Sequence, residues 1–240
     1  MIESALQKFA LMGASWVLYL LLAMSIFSIG IICERTLYFR SHSGDVEALG
    51  NELLRLLKGG DRRCAIALLQ GSKSTEAAIL LPAMEWLDGG AESVAEALES
   101  STVKKRAELE RGLTSLGTLG NNAPFVGLFG TVIGVIQAFH MLGSSNAGAN
   151  QAAMGNVIVA ISDALIATGV GLIVALPAVV GYNLSQKKVS TIENNVSVIS
   201  RQILALLKAD PKLIEQFAAL SDVVSEEEPA AEVAGEPELG

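Results

Sequence analysis

The chain has 240 residues, of which 51% are hydrophobic and 18% charged, and its formal net charge at pH 7 is −8. This balance, with a positive mean hydropathy, is typical of a small integral membrane protein and argues against an ordinary soluble domain. Two cysteines, Cys33 and Cys64, are too few for a disulfide framework or a metal site. The sequence contains no patch of basic and aromatic residues that would indicate a nucleic-acid partner.

Three apolar blocks are each long enough for a membrane helix, which needs about 20 residues. They cover residues 9–33, 114–142 and 154–182. The alternative for the first block is a cleaved signal peptide, whose apolar core would be only about 7–15 residues long. Because the block runs for 25 residues without a charge, we interpret it as a retained span.

The segments between and after the spans are predicted to be helical, so the fold class is all-α with long helical extensions. Val46, Leu49 and Leu53 recur at helical spacing before the second span, and the charged run at residues 104–111 continues a helix towards it. Past the third span, Val189 and Val196 belong to an apolar stripe that predicts an amphipathic helix continuing that span. No alternating strand pattern competes.

The distribution of charge predicts the topology. Residues 34–111 carry 11 basic residues and the chain from Lys187 onward carries five, whereas the link between the second and third spans carries none. The positive-inside rule therefore places the N-terminus in the periplasm and the C-terminus in the cytoplasm. The predicted organisation follows: a first span ending at residue 33, a cytoplasmic helical segment 34–111, a hairpin of two spans 112–186, a cytoplasmic helical extension 187–220 and a tail 221–240.

The tail contains six glutamates from Glu226 onward and is rich in Pro, Ala and Gly. Such a composition predicts disorder, because little apolar surface is available for burial. Solubilising disorder and an acidic partner-binding segment both remain open.

Between Arg111 and Lys187 the chain carries a single formal charge, Asp163. An ionised carboxylate at mid-bilayer costs about 2.5–3.5 kcal/mol on insertion scales, so an acid kept there is a candidate functional residue. A carboxyl group can bind and release a proton, so an acid at this position suits a proton carrier. The alternative is a protonated Asp that only hydrogen-bonds between helices.

Both later spans divide into a bulky face and a face of small residues, and we expect Asp163 on the small face, away from lipid. Thr131 and Thr168 add hydroxyls near the middle of these spans. The pattern predicts either a narrow polar path or a pocket for a further helix, although simple helix packing would also produce it. The small residues predicted to pack around a partner are Gly127, Gly134, Ala138, Ala160, Ala164, Ala167, Gly171, Ala175 and Ala178.

Other polar features are weaker. His140 lies near the outer end of the second span, where it either relays protons or bonds locally, and Pro177 is expected to kink the third span. The sequence shows no nucleophile–base set, phosphate loop or metal-ligand cluster. We therefore predict no enzymatic activity and no bound metal or cofactor. Protons are the expected coupling ion.

Two long runs resemble the MotA/TolQ/ExbB proton channel family. They are LERGLTSLGTLGNNAPFVGLFGTVIGVIQAF at residues 109–139 and ISDALIATGVGLIVALPAVVGYN at residues 161–183, and the three-span layout agrees with the TolQ and ExbB branches. The resemblance implies a homo-oligomeric ring, which is pentameric in the family. The ring would surround the transmembrane helices of a TolR/ExbD-like single-span partner, and that partner would be a dimer. The resemblance also implies that the ring lies in the bacterial inner membrane.

By position, the resemblance assigns Thr131 and Thr168 to the threonines that line the family's channel, and Asp163 to a place where TolQ and ExbB usually carry glutamate. It further implies that the main proton-carrying aspartate lies on the partner helix, so this chain does not conduct alone. The predicted function is a stator subunit that couples proton flow to movement of the partner, in uptake, envelope maintenance or surface motility. The alternative is a non-conducting scaffold that holds a partner helix.

Overall fold

A computed structural model of the protein describes residues 15–144 and 150–219. Every regular element within these ranges is a helix, which confirms the predicted fold class. The elements in chain order are α1 Ser15–Ser41, α2 Val46–Lys58, α3 Arg62–Gly71, α4 Thr75–Leu80, a 3₁₀ helix Leu81–Gly89, α5 Gly90–Glu110, α6 Leu113–Ser144, α7 Asn150–Ala209 and α8 over residues 211–219.

Three of these helices, α1, α6 and α7, contain apolar stretches long enough to cross a membrane. The described chain divides into two compact units. The first, here the membrane unit, comprises residues 15–37, 111–144 and 150–186; the second, the polar unit, comprises residues 38–110 and 187–219. The first residues of the predicted first span, residues 145–149 of the charge-free link and the acidic tail lie outside the described ranges.

Helix α1 extends past Cys33, where the sequence analysis placed the end of the first span, and continues to Ser41. Its buried positions recur at alternating three- and four-residue steps, and this stripe continues through Ser28 and Ile31 to Arg35. Arg35 is 5% exposed, and its guanidinium lies 3.4 Å from a carboxylate oxygen of Glu34. The apolar block ends before Glu34 and Arg35, but the helix continues past them. The buried stripe of α1 extends to Arg35, so the packed part of the helix is longer than the apolar block.

The charged run before the second span is helical, as predicted. Helix α5 ends at Glu110 and α6 begins at Leu113. Gly112 between them has φ +79°, a left-handed conformation that a residue with a side chain rarely adopts. The glycine therefore separates the helix of the charged run from the helix of the second span.

The core of the membrane unit is formed by inward-facing positions of α1, α6 and α7. Val17 and Leu21 of α1 pack with Ala123 and Ile133 of α6 and with Val174 of α7. A second cluster joins Ile31, Leu116 and Ala178. The opposite faces of these helices are exposed and carry the large apolar side chains expected against lipid, among them Phe125, Phe139, Leu165 and Ile173.

The polar unit is built from short capped helices. The side chains of Asp45, Asp61 and Ser74 each accept a hydrogen bond from a backbone N–H in the first turn of the helix that follows. Pro82 lies near the start of the 3₁₀ helix, which ends at the turn before Gly90, where φ is +81°. These signals fix where each helix starts and how the chain reverses.

The second half of α7 completes the core of the polar unit, as its predicted amphipathic stripe required. Its buried face packs with the inward faces of the shorter helices and with Leu213 and Phe217 of α8. At Gly50 of α2 an added Cβ would lie only 3.1 Å from the Ile199 side chain, so the backbone of α2 approaches that face closely. The buried α7 positions are Val196, Ile199, Ile203 and Leu207.

Candidate functional site

The contact between α6 and α7 follows a seven-residue spacing on both helices. The facing pairs are Gly120 with Ala178, Gly127 with Gly171, and Gly134 with Ala164. Residue numbers rise along one helix as they fall along the other, so the two helices are antiparallel. A seven-residue repeat of contacts is that of left-handed helix pairs, in which the same face stays turned to the partner.

Gly127 and Gly171 are the positions at which this contact is tightest against backbone. A Cβ placed on Gly127 would lie 2.8 Å from the Ala167 carbonyl oxygen and 3.0 Å from the Thr168 Cα. Gly171 is equally confined, with the Ala123 carbonyl oxygen 2.8 Å from its hypothetical Cβ. Because the obstacles are backbone atoms, a larger residue at either position would have to separate the helices.

Thr168 bonds across this close contact. Its hydroxyl donates to the Gly127 carbonyl oxygen over 3.0 Å, joining α7 to α6. In a regular helix the same carbonyl accepts the N–H of the residue four positions later, which is Thr131. The Gly127 carbonyl therefore accepts from both predicted channel-lining threonines: from the hydroxyl of Thr168 and, by helix geometry, from the backbone N–H of Thr131.

The hydroxyl of Thr131 is used within its own helix. It donates to the Leu128 carbonyl oxygen at 2.6 Å, and the side chain is only partly buried. The two threonines thus differ: Thr168 contributes an interhelical bond, whereas Thr131 makes a local one. Their role as lining of a proton path stays a prediction.

Asp163 does not lie on the buried face of α7, which corrects the expected position of its side chain. It is exposed in the single protomer, while its neighbour Ala164 is buried against Gly134. Ser162 beside it is exposed as well. The contacts with α6 at seven-residue spacing define the centre of the buried face of α7. Asp163 lies to one side of that centre. The Asp163 carboxylate therefore lies on the exposed surface of the membrane unit.

The predicted small-residue faces are mostly occupied by the chain itself. Both glycines named on α6 contact α7 directly, and the buried alanines belong to the interior of the membrane unit. The structure therefore assigns them an intrachain packing role, and contact with a partner helix stays a prediction. The buried alanines are Ala138, Ala160, Ala164, Ala167, Ala175 and Ala178.

Pro177 and His140 were also singled out by the sequence. Pro177 is exposed and lies inside the continuous helix Asn150–Ala209. His140 is exposed near the end of α6. Within the ranges that the structure describes, no group of three His, Cys, Asp or Glu side chains could hold a metal ion.

A buried carboxylate in the polar unit was not predicted from the sequence. Glu76, in the first turn of α4, is 4% exposed and accepts a hydrogen bond from the Asn195 side chain at 3.0 Å. No spacing signal pairs these residues, which are 119 positions apart. An acid in a first turn is usually solvated, so only the packing of α4 against α7 identifies it.

The stripe of α1 offers a second missed signal. Ser28 is 1% exposed and its hydroxyl has no partner among the described residues. Arg35 is buried seven positions later on the same stripe. The alternating spacing from Val17 onward would have placed both residues on the inward face.

Charge effects outside the spans are local. The backbone N–H of Cys64 donates to the Asp61 carboxylate and lowers the pKa of that carboxyl, while the same carboxylate raises the pKa of the Cys64 thiol. On α5 the Arg106 guanidinium lies 2.9 Å from Glu110 and 3.2 Å from Glu193 of α7. That pairing raises the pKa of Arg106, with the Glu110 hydrogen bond as the largest cause.

Comparison with known proteins identifies one family. The model of the MotA/TolQ/ExbB proton channel family matches residues 72–197, just over half of the chain. This range contains the α6–α7 pair with its three glycine contacts, both threonines and Asp163.

Individual relatives match over shorter stretches. The Tol-Pal system protein TolQ of Pseudomonas aeruginosa is 42% identical over 96 residues, which is 40% of each chain. The biopolymer transport protein ExbB of Pseudomonas putida is 37% identical over 123 residues, 51% of this chain and 36% of that protein. A putative biopolymer transport protein, ExbB-like 2 of Helicobacter pylori, is 44% identical over 85 residues, 35% of this chain and 54% of that protein. The matches thus span about half of these relatives or less.

Proposed function

This chain belongs to the MotA/TolQ/ExbB proton channel family, and from that premise we propose that it is the stator subunit of an inner-membrane motor. It couples the proton motive force to movement of a TolR/ExbD-like single-span partner. Relatives named for the Tol-Pal system and for biopolymer transport support uptake and envelope maintenance as the energised processes, with surface motility as a third. Protons are the coupling ion, and no other cofactor is needed.

The observation that carries the proposal is the placement of Asp163 beside a rigid helix pair. Thr168 and the glycines fix α7 against α6, so the position of Asp163 on α7 is fixed too. A carboxylate exposed on a membrane helix is costly against lipid, so a second protein surface or a water-filled cavity is expected beside it. A neighbouring copy and a partner helix that carries its own acid both satisfy this requirement.

We propose that the covering surfaces form a homopentameric ring around a partner dimer. The exposed faces of the span helices carry large apolar side chains, which suit both lipid and contacts between copies. The membrane potential supplies about 2.3 kcal/mol per charge per 100 mV, enough to drive a conformational step for each proton that passes Asp163. The basic residues Lys187 and Lys188, which follow the third span, support a cytoplasmic C-terminus.

The test begins with gentle affinity purification from native membranes and mass spectrometry of the retained proteins. We expect a small single-span protein with an aspartate in its helix. The retained complex is then reconstituted in liposomes, and proton uptake is measured under an imposed potential for the original chain, Asp163→Asn and Asp163→Glu. Asn keeps the shape but cannot ionise, whereas Glu keeps the charge.

Proton uptake should be lost in Asp163→Asn and retained in Asp163→Glu. Full uptake by Asp163→Asn would remove the assigned role of this carboxylate. The non-conducting scaffold would be favoured by a different result. In that case the Asp163→Asn complex would keep the same protein composition, and no variant, including the original chain, would take up protons.

A further inference from the structure

A groove on the polar unit lies outside everything assigned so far. It runs between the 3₁₀ helix and α5, which fold back on each other at Gly89 and Gly90, and it has a volume of about 610 Å³. That volume falls in the range of about 300–1,000 Å³ that is usual for ligand sites. The lining residues are Pro82, Trp86, Gly89, Glu92, Ser93, Glu96, Ala97, Ser100 and Ser101.

Trp86 forms part of one wall and is 56% exposed. Its neighbours Met84 and Leu87 on the same 3₁₀ helix are fully buried and supply the core. The indole is therefore not required for packing within the described chain. Tryptophan is enriched among the residues that dominate the energy of protein interfaces, which makes an exposed one a candidate anchor.

The other wall is one face of α5. Glu92, Glu96 and Ser100 lie four residues apart, and a parallel row of small residues, Ser93, Ala97 and Ser101, lies beside them. Residues four apart share one face of a helix, so the carboxylates follow the groove while the small side chains keep it open.

The segment that forms the groove carries charge of one sign, while Arg62, which donates to the Glu85 carbonyl oxygen at 2.9 Å, lies near it but does not line it. Residues 74–103 contain six acidic residues and no lysine or arginine. Within the described ranges, the five of them at positions 85–99 make no ion pair, since every ion pair found involves other residues. A cleft lined by unpaired charges of one sign concentrates ligands of the opposite charge.

We propose that this groove binds a lysine- and arginine-rich segment of a partner protein. A cationic side chain stacks on the Trp86 indole, and further basic groups pair with Glu92 and Glu96. Arginine suits this site best, because its planar guanidinium stacks on an aromatic face and forms paired bonds to a carboxylate. The same carboxylates disfavour an anionic lipid surface, which would be repelled. The inference does not depend on the proposed function.

The experiment uses the full chain in detergent micelles and two fluorescein-labelled seven-residue peptides. One contains four Lys and Arg residues and no acid; in the other every basic residue is replaced by Gln. Fluorescence anisotropy is measured for the original chain, Trp86→Ala, Trp86→Phe, the pair Glu92→Gln with Glu96→Gln, and a matched pair, Glu227→Gln with Glu228→Gln. The two pairs change the net charge equally, and Glu92 and Glu96 of the first pair line the groove.

The basic peptide should bind the original chain and the matched pair alike. Affinity should fall at least about tenfold for Trp86→Ala and for the groove pair, with Trp86→Phe intermediate. Equal losses for the two glutamate pairs, an unchanged Trp86→Ala, or binding of the neutral peptide would each overturn the proposal. Failure of the basic peptide to bind would overturn it as well, and a shift of the Trp86 emission in a Trp16→Phe background would then show whether anionic lipid vesicles or self-association occupy the groove.

Discussion

The hydroxyl of Thr168 donates a hydrogen bond to the backbone carbonyl of Gly127 at 3.0 Å, and this bond joins α6 to the part of α7 that lies within the family match. Such proximity exists only because Gly127 has no side chain, since a Cβ there would lie 3.0 Å from the Thr168 Cα. Close backbone approach and the interhelical hydrogen bond therefore depend on each other.

Removing the Thr168 hydroxyl should weaken the α6–α7 pair. Thr168→Val keeps the shape but loses the bond, and we expect a loss of about 0.5–1.5 kcal/mol in the free energy of unfolding. Thr168→Ser should lose little. The measurement is unfolding in mixed micelles followed by circular dichroism. Thr131→Val is the comparison: its hydroxyl bonds only within α6, so no interhelical bond is lost. Equal stability of Thr168→Val and Thr168→Ser would contradict this account.

Two glycines of α7, only two positions apart, should respond oppositely to alanine. At Gly171 the added methyl would meet the Ala123 carbonyl oxygen at 2.8 Å, whereas at Gly169 nothing lies within 4 Å. We expect Gly171→Ala to destabilise the membrane unit by about 1–3 kcal/mol, because the helices must separate. Gly169→Ala should be neutral or slightly stabilising, since alanine favours the helix. The same unfolding assay decides, and similar shifts for both variants would rule out the close contact.

The Glu76–Asn195 hydrogen bond should couple α4 to α7 in the polar unit. Glu76→Ala, Asn195→Ala and the double variant form a cycle from which we expect an interaction free energy of about 0.5–3 kcal/mol. Glu76→Gln preserves an acceptor and should be milder than Glu76→Ala. Chemical denaturation of the full chain gives the four values. If the two single losses simply added, the bond would have no energetic role.

The Asp61 carboxylate should slow alkylation of Cys64. The hydrogen bond and negative charge of Asp61 raise the pKa of the Cys64 thiol, so less thiolate is present at a given pH. Asp61→Asn removes the charge but keeps a capping acceptor, and should therefore lower that pKa and speed reaction with iodoacetamide at mildly alkaline pH. At a pH far above both pKa values the rates should converge.

The assay uses a Cys33→Ser background, in which Cys64 is the sole cysteine. Rates are measured across the pH range for the original Asp61 and for Asn. A midpoint that stays in place after the substitution would show that the carboxylate does not influence the thiol. A faster rate at every pH by the same factor would indicate a change of access instead.

The sequence was a good guide where a property depends on local composition or on one helix. The apolar blocks predicted three spans, and the stripe through Val196 predicted the amphipathic continuation of α7. The spacing of Gly120, Gly127 and Gly134 already contained the seven-residue contact pattern. The end of the first helix was less accurate, because α1 continues past the charges and Arg35 is buried on its inward stripe, which the position of the charges alone does not reveal.

What the sequence by itself determined is that the chain forms apolar helices with one acid between Arg111 and Lys187, because membrane insertion depends on the length and hydrophobicity of each segment. Only the tertiary structure decided that Thr168 bonds Gly127, that Glu76 is buried with Asn195, and that Asp163 lies outside the α6–α7 contact. The physical reason is that a helix's own period defines its faces but not which angle becomes the centre of contact. That angle is set by where the backbone of a second helix approaches most closely, and here the glycines of α6 set it.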